Sequence, residues 1–192
     1  MSLQQLSDQE LYRLIDQGRE GAFSALLAKH YDSLFAFAFK YCRHREDAED
    51  IVQETLLKIA RSFGQFDRKH LFTTWAYRIV INTAKDLFKK QRQDRLMGAA
   101  YALEIDDSGD CEAPPPGDGL WKLLDRLPKK LYDAVVLVYG QDLSHAEAAV
   151  ALGCAETTVS WRLYQARRQL SRQAVKAGLL LLVLLGGSLW MR

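Results

Sequence analysis

The chain has 192 residues, and its formal net charge is only +2. With 48% hydrophobic and 26% charged residues, it has the composition of a soluble protein of one or two domains with real hydrophobic cores. Three widely separated cysteines exclude a disulfide framework, and the polar, amphipathic N-terminus does not have the pattern of a signal peptide, so a reduced cytoplasmic location is expected.

The first part of the chain predicts a bundle of helices. Ser7 with Glu10 is a capping signature that opens a short helix, and a longer helix, apolar over much of its girth, is predicted over Ala22–Cys42. A third helix, over Arg45–Phe63, has acidic residues in its first half and basic residues in its second. This order suits the helix dipole, and it equally suits a surface for a basic partner helix, so both interpretations stay open.

A basic loop, Gly64–Leu71, precedes a fourth predicted helix over Phe72–Lys90. The helical period places Phe72 and Trp75 in the core. It places five residues on the outer face: Tyr77, Arg78, Asn82, Lys85 and Lys89. Between Arg68 and Arg95 there are eight cations and two acids. Such a surface is typical of proteins that bind opened or single-stranded DNA.

Two segments lack a regular helical pattern. Residues 96–119 contain six acids, no cation and the run Pro114–Pro116, which predicts a flexible acidic linker. Residues 177–192 are almost entirely apolar but are shorter than the ~20 residues that a membrane-spanning helix needs. This tail is interpreted either as a hydrophobic contact with a partner or a membrane face, or as a segment folded back on the preceding domain.

The second helical block ends in a predicted helix-turn-helix over Asp142–Arg172. Ser144 and Glu147 form a capping box, Gly153 ends the first helix, and a second helix begins near Glu156. The buried face of the second helix is predicted to contain Val159, Leu163, Ala166 and Leu170, and the opposite face Thr157, Trp161, Tyr164, Gln165, Arg168 and Arg172. Five cations and no acid between Thr157 and Lys176 suit the major groove of DNA. The alternative is a plain helical hairpin with a solvated basic face.

The predicted fold is therefore all-α, with two small helical domains joined by a flexible acidic linker. The first domain is assigned to residues 1–95, the linker to 96–119, the helix-turn-helix domain to 120–176 and the apolar tail to 177–192.

Two blocks of this sequence resemble one protein family. The segments REDAEDIVQETLLKIARSF and LFTTWAYRIVINTAKDLFKKQR resemble conserved region 2 of the bacterial sigma-70 family. The segment LLDRLPKKLYDAVVLVYGQDLSHAEAAVALGCAETTVSWRLYQARRQL resembles region 4 of the same family. Their order and the short chain are similar to the extracytoplasmic-function (group 4) sigma factors.

The resemblance implies a dissociable promoter-specificity subunit of RNA polymerase, with no catalytic site, cofactor or metal of its own. Its acidic region 2 helix would bind the coiled coil of the largest polymerase subunit through Asp50, Gln53 and Glu54. The residues implied for melting and reading the −10 element are Phe66, Arg68, Lys69 and His70 in the loop and Arg78, Asn82 and Lys85 on the helix. Those implied for the −35 element are Thr158, Ser160, Trp161, Arg162, Gln165 and Arg168.

The chain departs from the family pattern at several positions. Trp161 and Gln165 stand where the family often has small or basic residues, so the −35 sequence is expected to be unusual and phosphate contacts to carry more of the affinity. The loop is more basic than in many members, which leaves the preferred −10 base open.

The resemblance also implies how the protein is controlled and where it acts. Family members are usually held inactive by an anti-sigma factor, which is often membrane-bound, so a stress- or envelope-responsive role is expected. The expected location is cytoplasmic, and a contact of residues 177–192 with a membrane or membrane protein would make it peripheral to the inner membrane.

Other function classes explain less of the chain. A stand-alone helix-turn-helix regulator would use the second block on duplex DNA but would have no need of the basic surface between Arg68 and Arg95. A membrane-tethered interaction protein, built on the tail, would leave both basic blocks unexplained. An enzyme is not predicted, because no phosphate-binding glycine loop and no plausible triad order occurs. Cys42 and His44 are the only weak suggestion of a zinc site.

Overall fold

The computed structural model describes residues 3–101, 123–124 and 126–176, and these residues form helices and turns with no strand among them. The predicted all-α fold is confirmed. The chain divides into two compact units, one within Met1–Glu112 and one within Ala113–Arg192. The first unit contains α1 (Asp8–Asp16), α2 (Ala22–Cys42), α3 (Arg45–Ser62) and α4 (Phe72–Tyr101), and the second contains α5 (Lys129–Gly140), α6 (His145–Leu152) and α7 (Glu156–Lys176). No described helix combines the length and apolar character that a membrane crossing requires.

The core of the first unit lies where α2, α3 and α4 pack on one another. Phe37 on α2 is fully buried, and its ring centre is 4.4 Å from that of Tyr77 on α4. The prediction that Tyr77 faces outward is therefore wrong, since its side chain is only 6% exposed. The reason is that α4 packs against both α2 and α3, so its buried arc is wider than a single apolar stripe. Burial also raises the pKa of the Tyr77 hydroxyl.

Helix α1 is fastened to α2 by charge as well as by packing. The predicted capping box of Ser7 and Glu10 is present at its start. Asp8 accepts hydrogen bonds from Lys29 at 2.8 Å and from the ring of His30 at 2.9 Å. These contacts set the position of α1 beside the loop that precedes α4.

Helix α4 is longer than the sequence predicted. It continues past Lys90 to Tyr101, because no proline interrupts it there, and Gln91 donates a 2.7 Å hydrogen bond to Asp47 on α3. Residues 96–101, assigned to the linker, are thus helical. The rest of the predicted linker, residues 102–119, and the apolar tail, residues 177–192, lie outside the described residues.

In the second unit the middle of α5 is buried on every side, whereas α7 buries only one side. Residues Leu131–Leu137 of α5 are all buried, and α5, α6 and α7 pack on one another. The capping box of Ser144 and Glu147 and the left-handed Gly153, with φ of 61°, form the predicted turn chemistry around α6. The predicted apolar face of α7 is confirmed: Val159, Leu163, Ala166 and Leu170 are buried.

We expect Ser144→Ala to destabilise α6, because the Ser144 hydroxyl accepts from the amide of Glu147 and donates to its carboxylate. Loss of such a cap costs about 1 kcal/mol, which corresponds to roughly fivefold faster amide hydrogen exchange in α6 at neutral pH. Ser171→Ala, inside α7 and away from any helix start, is the control and should leave exchange in α6 unchanged.

The effect should depend on pH. Hydrogen bonds from the Ser144 hydroxyl and amide hold the pKa of Glu147 below its usual value. A lowered folded-state pKa stabilises the fold above the unfolded pKa, and this part of the stability is lost as pH falls through the folded-state pKa. The difference between the wild type and Ser144→Ala should therefore shrink in acid, and a difference that grows in acid would contradict this account.

Candidate nucleic-acid interface

A strip of polar side chains runs along the outer face of α4. It consists of Arg78, Asn82, Lys85 and Lys89, spaced four, three and four residues apart, and all four are exposed. The helix period places them in one row, while Ala76, Val80 and Ala84 are buried on the other side. The structure thus brings together the three α4 residues predicted to contact the −10 element, and we call this row the α4 strip.

The loop before α4 is a tight turn that exposes two more of the predicted residues. The Asp67 carboxylate accepts the amide of Lys69 at 3.0 Å, and the Asp67 carbonyl accepts the amide of His70 at 3.1 Å. Both bonds hold the chain in a turn, and the side chains of Lys69 and His70 are exposed. The loop therefore offers a cation and an imidazole at the start of the α4 strip.

Phe66, which also belongs to that loop, is placed differently from its neighbours. Its ring is only 7% exposed. It meets Tyr12 edge-on at 5.7 Å and Phe72 edge-on at 5.8 Å, and it lies 5.1 Å from Trp75. In this conformation Phe66 anchors the loop in a cluster of aromatic rings.

Arg68 is held by the N-terminal helix. Two of its nitrogens donate to the two carboxylate oxygens of Asp16 at 2.5 Å, and its guanidinium lies 5.3 Å from the ring centre of Tyr12. The hydrogen bonds favour the charged forms, so the pKa of Asp16 is lowered and that of Arg68 is raised. Sequence reasoning did not find Asp16, because 52 residues separate it from Arg68 and no local pattern links them.

A groove of about 540 Å³ lies between α3 and α4. Asp50, Gln53 and Glu54, the predicted polymerase contacts, all line it. So does Leu57, which is 49% exposed and was not predicted; its position three residues after Glu54 was the available signal. An apolar centre with carboxylates beside it suits a partner helix that carries both apolar and basic side chains.

The far wall of this groove belongs to α4. Asp86, Leu87 and Lys90 line it, and Lys58 of α3 makes a 3.1 Å ion pair with Asp86 across the groove. Helix α4 thus carries the groove wall on one face and the α4 strip on another.

On α7 the predicted −35 residues occupy the side opposite the buried face. Trp161, Gln165 and Arg168 lie in one row, with Thr158 beside it and Ser160 and Arg162 on its two flanks. Ser160 is also a structural link: its hydroxyl donates to the Glu156 carbonyl at 3.2 Å and bonds the His145 ring on α6 at 3.0 Å. Tyr164 was not predicted as a contact, yet it lies in the same row and is 62% exposed.

His44 has a local role beside Cys42. Its ring nitrogen accepts the amide of Asp47 at 3.3 Å and so caps α3, while the Cys42 thiol donates to the His44 carbonyl at 3.2 Å. Within the described part of the chain, no group of three or more His, Cys, Asp or Glu residues is placed to hold a metal ion.

Comparison with protein families gives two matches in the order that the sequence predicted. The family Sigma-70 region 2 matches residues 26–94, which include the groove, the loop and most of α4. The family Sigma-70, region 4 matches residues 118–170, which include α6 and most of α7.

Relatives match along most of the chain. The ECF RNA polymerase sigma-E factor of Haemophilus influenzae is 29% identical over 183 residues, which cover 88% of this chain and 96% of that protein. The RNA polymerase sigma factor SigV of Bacillus subtilis is 30% identical over 153 residues, which cover 80% of this chain and 91% of that protein.

Solved structures agree with these matches. CnrH, solved in complex with the cytosolic domain of CnrY, has a TM-score of 0.64 at 26% identity, covering 88% of this chain and 97% of that chain. RpoE of Bartonella quintana, solved with the anti-sigma factor NepR, shares the fold with a TM-score of 0.61 at 23% identity, covering 79% of this chain and 96% of that chain. The two family matches together take in well over half of the chain, so this protein belongs to the extracytoplasmic-function sigma factors of the sigma-70 family.

Proposed function

We propose that this sigma factor directs core RNA polymerase to a specific set of promoters through three surfaces with separate roles. The proposal rests on one observation: the two units carry three different surfaces. The first unit has the groove with acidic side chains and the basic α4 strip, and the second has the basic helix α7. A stand-alone regulator needs only the recognition helix, so that alternative leaves the whole of region 2 without a use.

The groove between α3 and α4 is the proposed polymerase contact. Asp50, Gln53 and Glu54 would face the coiled coil of the largest subunit, and Leu57 would receive an apolar side chain from it. The acidic side chains and the exposed leucine of the groove support this role, since interface affinity usually rests on an apolar centre with polar groups around it.

The −10 element is assigned to the loop and the α4 strip. Lys69, His70, Arg78, Asn82 and Lys85 would contact the opened non-template strand, where cations follow phosphates and polar groups meet a base outside the stack. Phe66 supports the loop from the core. Arg68 would reach DNA only after leaving Asp16.

The −35 element is assigned to α7. Thr158, Ser160, Trp161, Arg162, Gln165 and Arg168 would face the major groove, with the arginines on phosphates or base edges. The charge of this helix supports the assignment, because it carries five cations and a single acid, Glu156, in its first turn.

Control by an anti-sigma factor is also proposed, because the sigma factor RpoE, which has a similar fold, was solved with the anti-sigma factor NepR. CnrH was likewise solved with a second protein, the cytosolic domain of CnrY. The inducing signal would be a stress of the cell or its envelope. A cytoplasmic location follows from the role, since the polymerase acts on the chromosome there. Membrane contact through residues 177–192 stays a prediction, to be tested by comparing activity and location after deletion of that segment.

Run-off transcription tests the proposed function. Purified bacterial core polymerase is assayed with and without the full chain on promoter-bearing genomic fragments. We expect discrete start sites that depend on the protein. Binding to duplex DNA without association with core polymerase would overturn the proposal in favour of the stand-alone regulator.

Reversing one charge in the groove should separate polymerase binding from DNA binding. Glu54→Lys places a cation where the partner is expected to be basic, which should weaken core binding by about 2 kcal/mol, or roughly thirtyfold. Affinity for core polymerase is measured by fluorescence anisotropy of the labelled chain. Glu20→Lys, exposed before α2, makes the same charge change away from the groove and should bind normally. Equal weakening by both variants would show a general charge effect.

Mutations in the two proposed DNA-binding surfaces should impair different steps of transcription initiation. Arg168→Ala should weaken binding of holoenzyme to a duplex −35 element and lower the salt dependence by about one phosphate contact. Asn82→Ala should leave duplex binding intact but slow open-complex formation, as followed by permanganate reactivity of unpaired thymines. Unchanged melting by Asn82→Ala would show that the α4 strip is wrongly assigned.

The pair of Asp16 and Arg68 should compete with DNA for the arginine. Both side chains are partly exposed, so solvent screens the pair and a phosphate can replace the carboxylate. Asp16→Asn should therefore tighten binding of a −10 non-template oligonucleotide to the holoenzyme about threefold, and Arg68→Ala should weaken it.

A double-mutant cycle gives the decisive comparison. The gain from Asp16→Asn should largely vanish in the Arg68→Ala background. Glu20→Gln is the matched control, because it also removes one negative charge, and Glu20 is exposed in the turn before α2. A gain of the same size with and without Arg68 would mean that Asp16 acts as a general negative charge.

A further inference from the structure

Two large aromatic side chains on α7 are exposed, although the helix has a complete buried face of its own. Trp161 is 59% and Tyr164 is 62% exposed, while Val159, Leu163 and Ala166 fill the core beneath them. Aromatic side chains gain most from burial, and two neighbouring exposed rings on one helix indicate a surface that meets a partner.

The surroundings of the two rings identify the kind of partner. Arg168 and Arg172 continue the same row towards the end of α7, and both are exposed. The only acidic residue of α7 is Glu156, in its first turn. Aromatic rings followed by cations suit a partner that carries both negative charges and apolar groups. Duplex DNA is such a partner, because phosphates flank its major groove and the methyl groups of thymine are exposed in it.

The apolar surface of the two rings indicates which base they would contact. In the major groove, guanine, cytosine and adenine present hydrogen-bonding groups, whereas thymine also presents a methyl group. The hydrocarbon surface of the two rings suits the methyl group. Tyr164 follows Trp161 by three residues, so the two side chains are neighbours on the helix surface and suit neighbouring base pairs.

We propose that Trp161 and Tyr164 read the methyl groups of thymines at neighbouring positions of the −35 element. The two residues thereby set the sequence preference, while Arg168 and Arg172 hold the phosphate backbone. This inference rests on the proposed function, because it names the bases that the recognition helix selects.

The test removes only the methyl groups. Holoenzyme made with the full chain selects its −35 duplex from a random pool, and the selected thymines are then replaced one at a time by uracil. Uracil keeps every hydrogen-bonding group of thymine, so only apolar contact is lost. We expect about fourfold weaker binding at each of two neighbouring positions, the loss typical of one methyl group that is no longer buried.

Protein variants assign each position to its ring. Trp161→Ala should abolish the difference between thymine and uracil at one position, and Tyr164→Ala at the other. Tyr164→Phe keeps the ring and should keep the difference. Arg168→Ala should weaken both duplexes equally, since a phosphate contact does not sense the methyl group. Because each variant is compared with itself on two duplexes, a loss of folded protein cannot imitate the result.

The outcomes separate this inference from the function beneath it. Two results would overturn the proposal that the rings read thymine methyl groups, without affecting the proposed role in transcription. One is a selected duplex without thymine at neighbouring positions, and the other is a uracil effect that persists in Trp161→Ala and Tyr164→Ala. Normal DNA binding by both variants would mean that the rings meet a protein instead. Failure of the holoenzyme to bind any duplex or to start transcription would overturn the proposed function, and the inference with it.

Discussion

The aromatic cluster around Phe66 is the contact on which the N-terminal unit depends. Tyr12 of α1, Phe72 and Trp75 of α4, and Phe66 of the loop come together there, so three separate parts of the chain share one set of ring contacts. Tyr12, Phe66 and Phe72 are buried there, so the cluster fixes where the loop leaves the core. The cluster therefore also sets the position of the exposed polar residues of the loop.

Helix α4 joins two surfaces for which we propose different partners. Asp86, Leu87 and Lys90 face the groove, whereas the α4 strip faces another direction on the same helix. Because both surfaces lie on this one helix, the helix fixes the position of the groove wall relative to the α4 strip. The proposed polymerase contact and the proposed DNA contact thus share one element.

The C-terminal unit also combines a small core with an exposed surface for a partner. Its recognition helix buries one apolar stripe and leaves the rest of its circumference for a partner, while the bond between Ser160 and His145 fixes it against α6. Each unit thus has a small core and presents its proposed binding residues outside it. The binding surfaces cost little stability, because almost none of their polar groups is taken into the core.

The sequence by itself determined the helix order and most helix ends, because capping boxes, the left-handed Gly153 and the helical period are local features read over a few residues. It also placed the buried stripe of α7 and the residues of the α4 strip. Only the tertiary structure decided that Tyr77 is buried, that Phe66 anchors the loop and that Asp16 holds Arg68. Those contacts join residues far apart in the chain, and they depend on how helices pack, which no local pattern records.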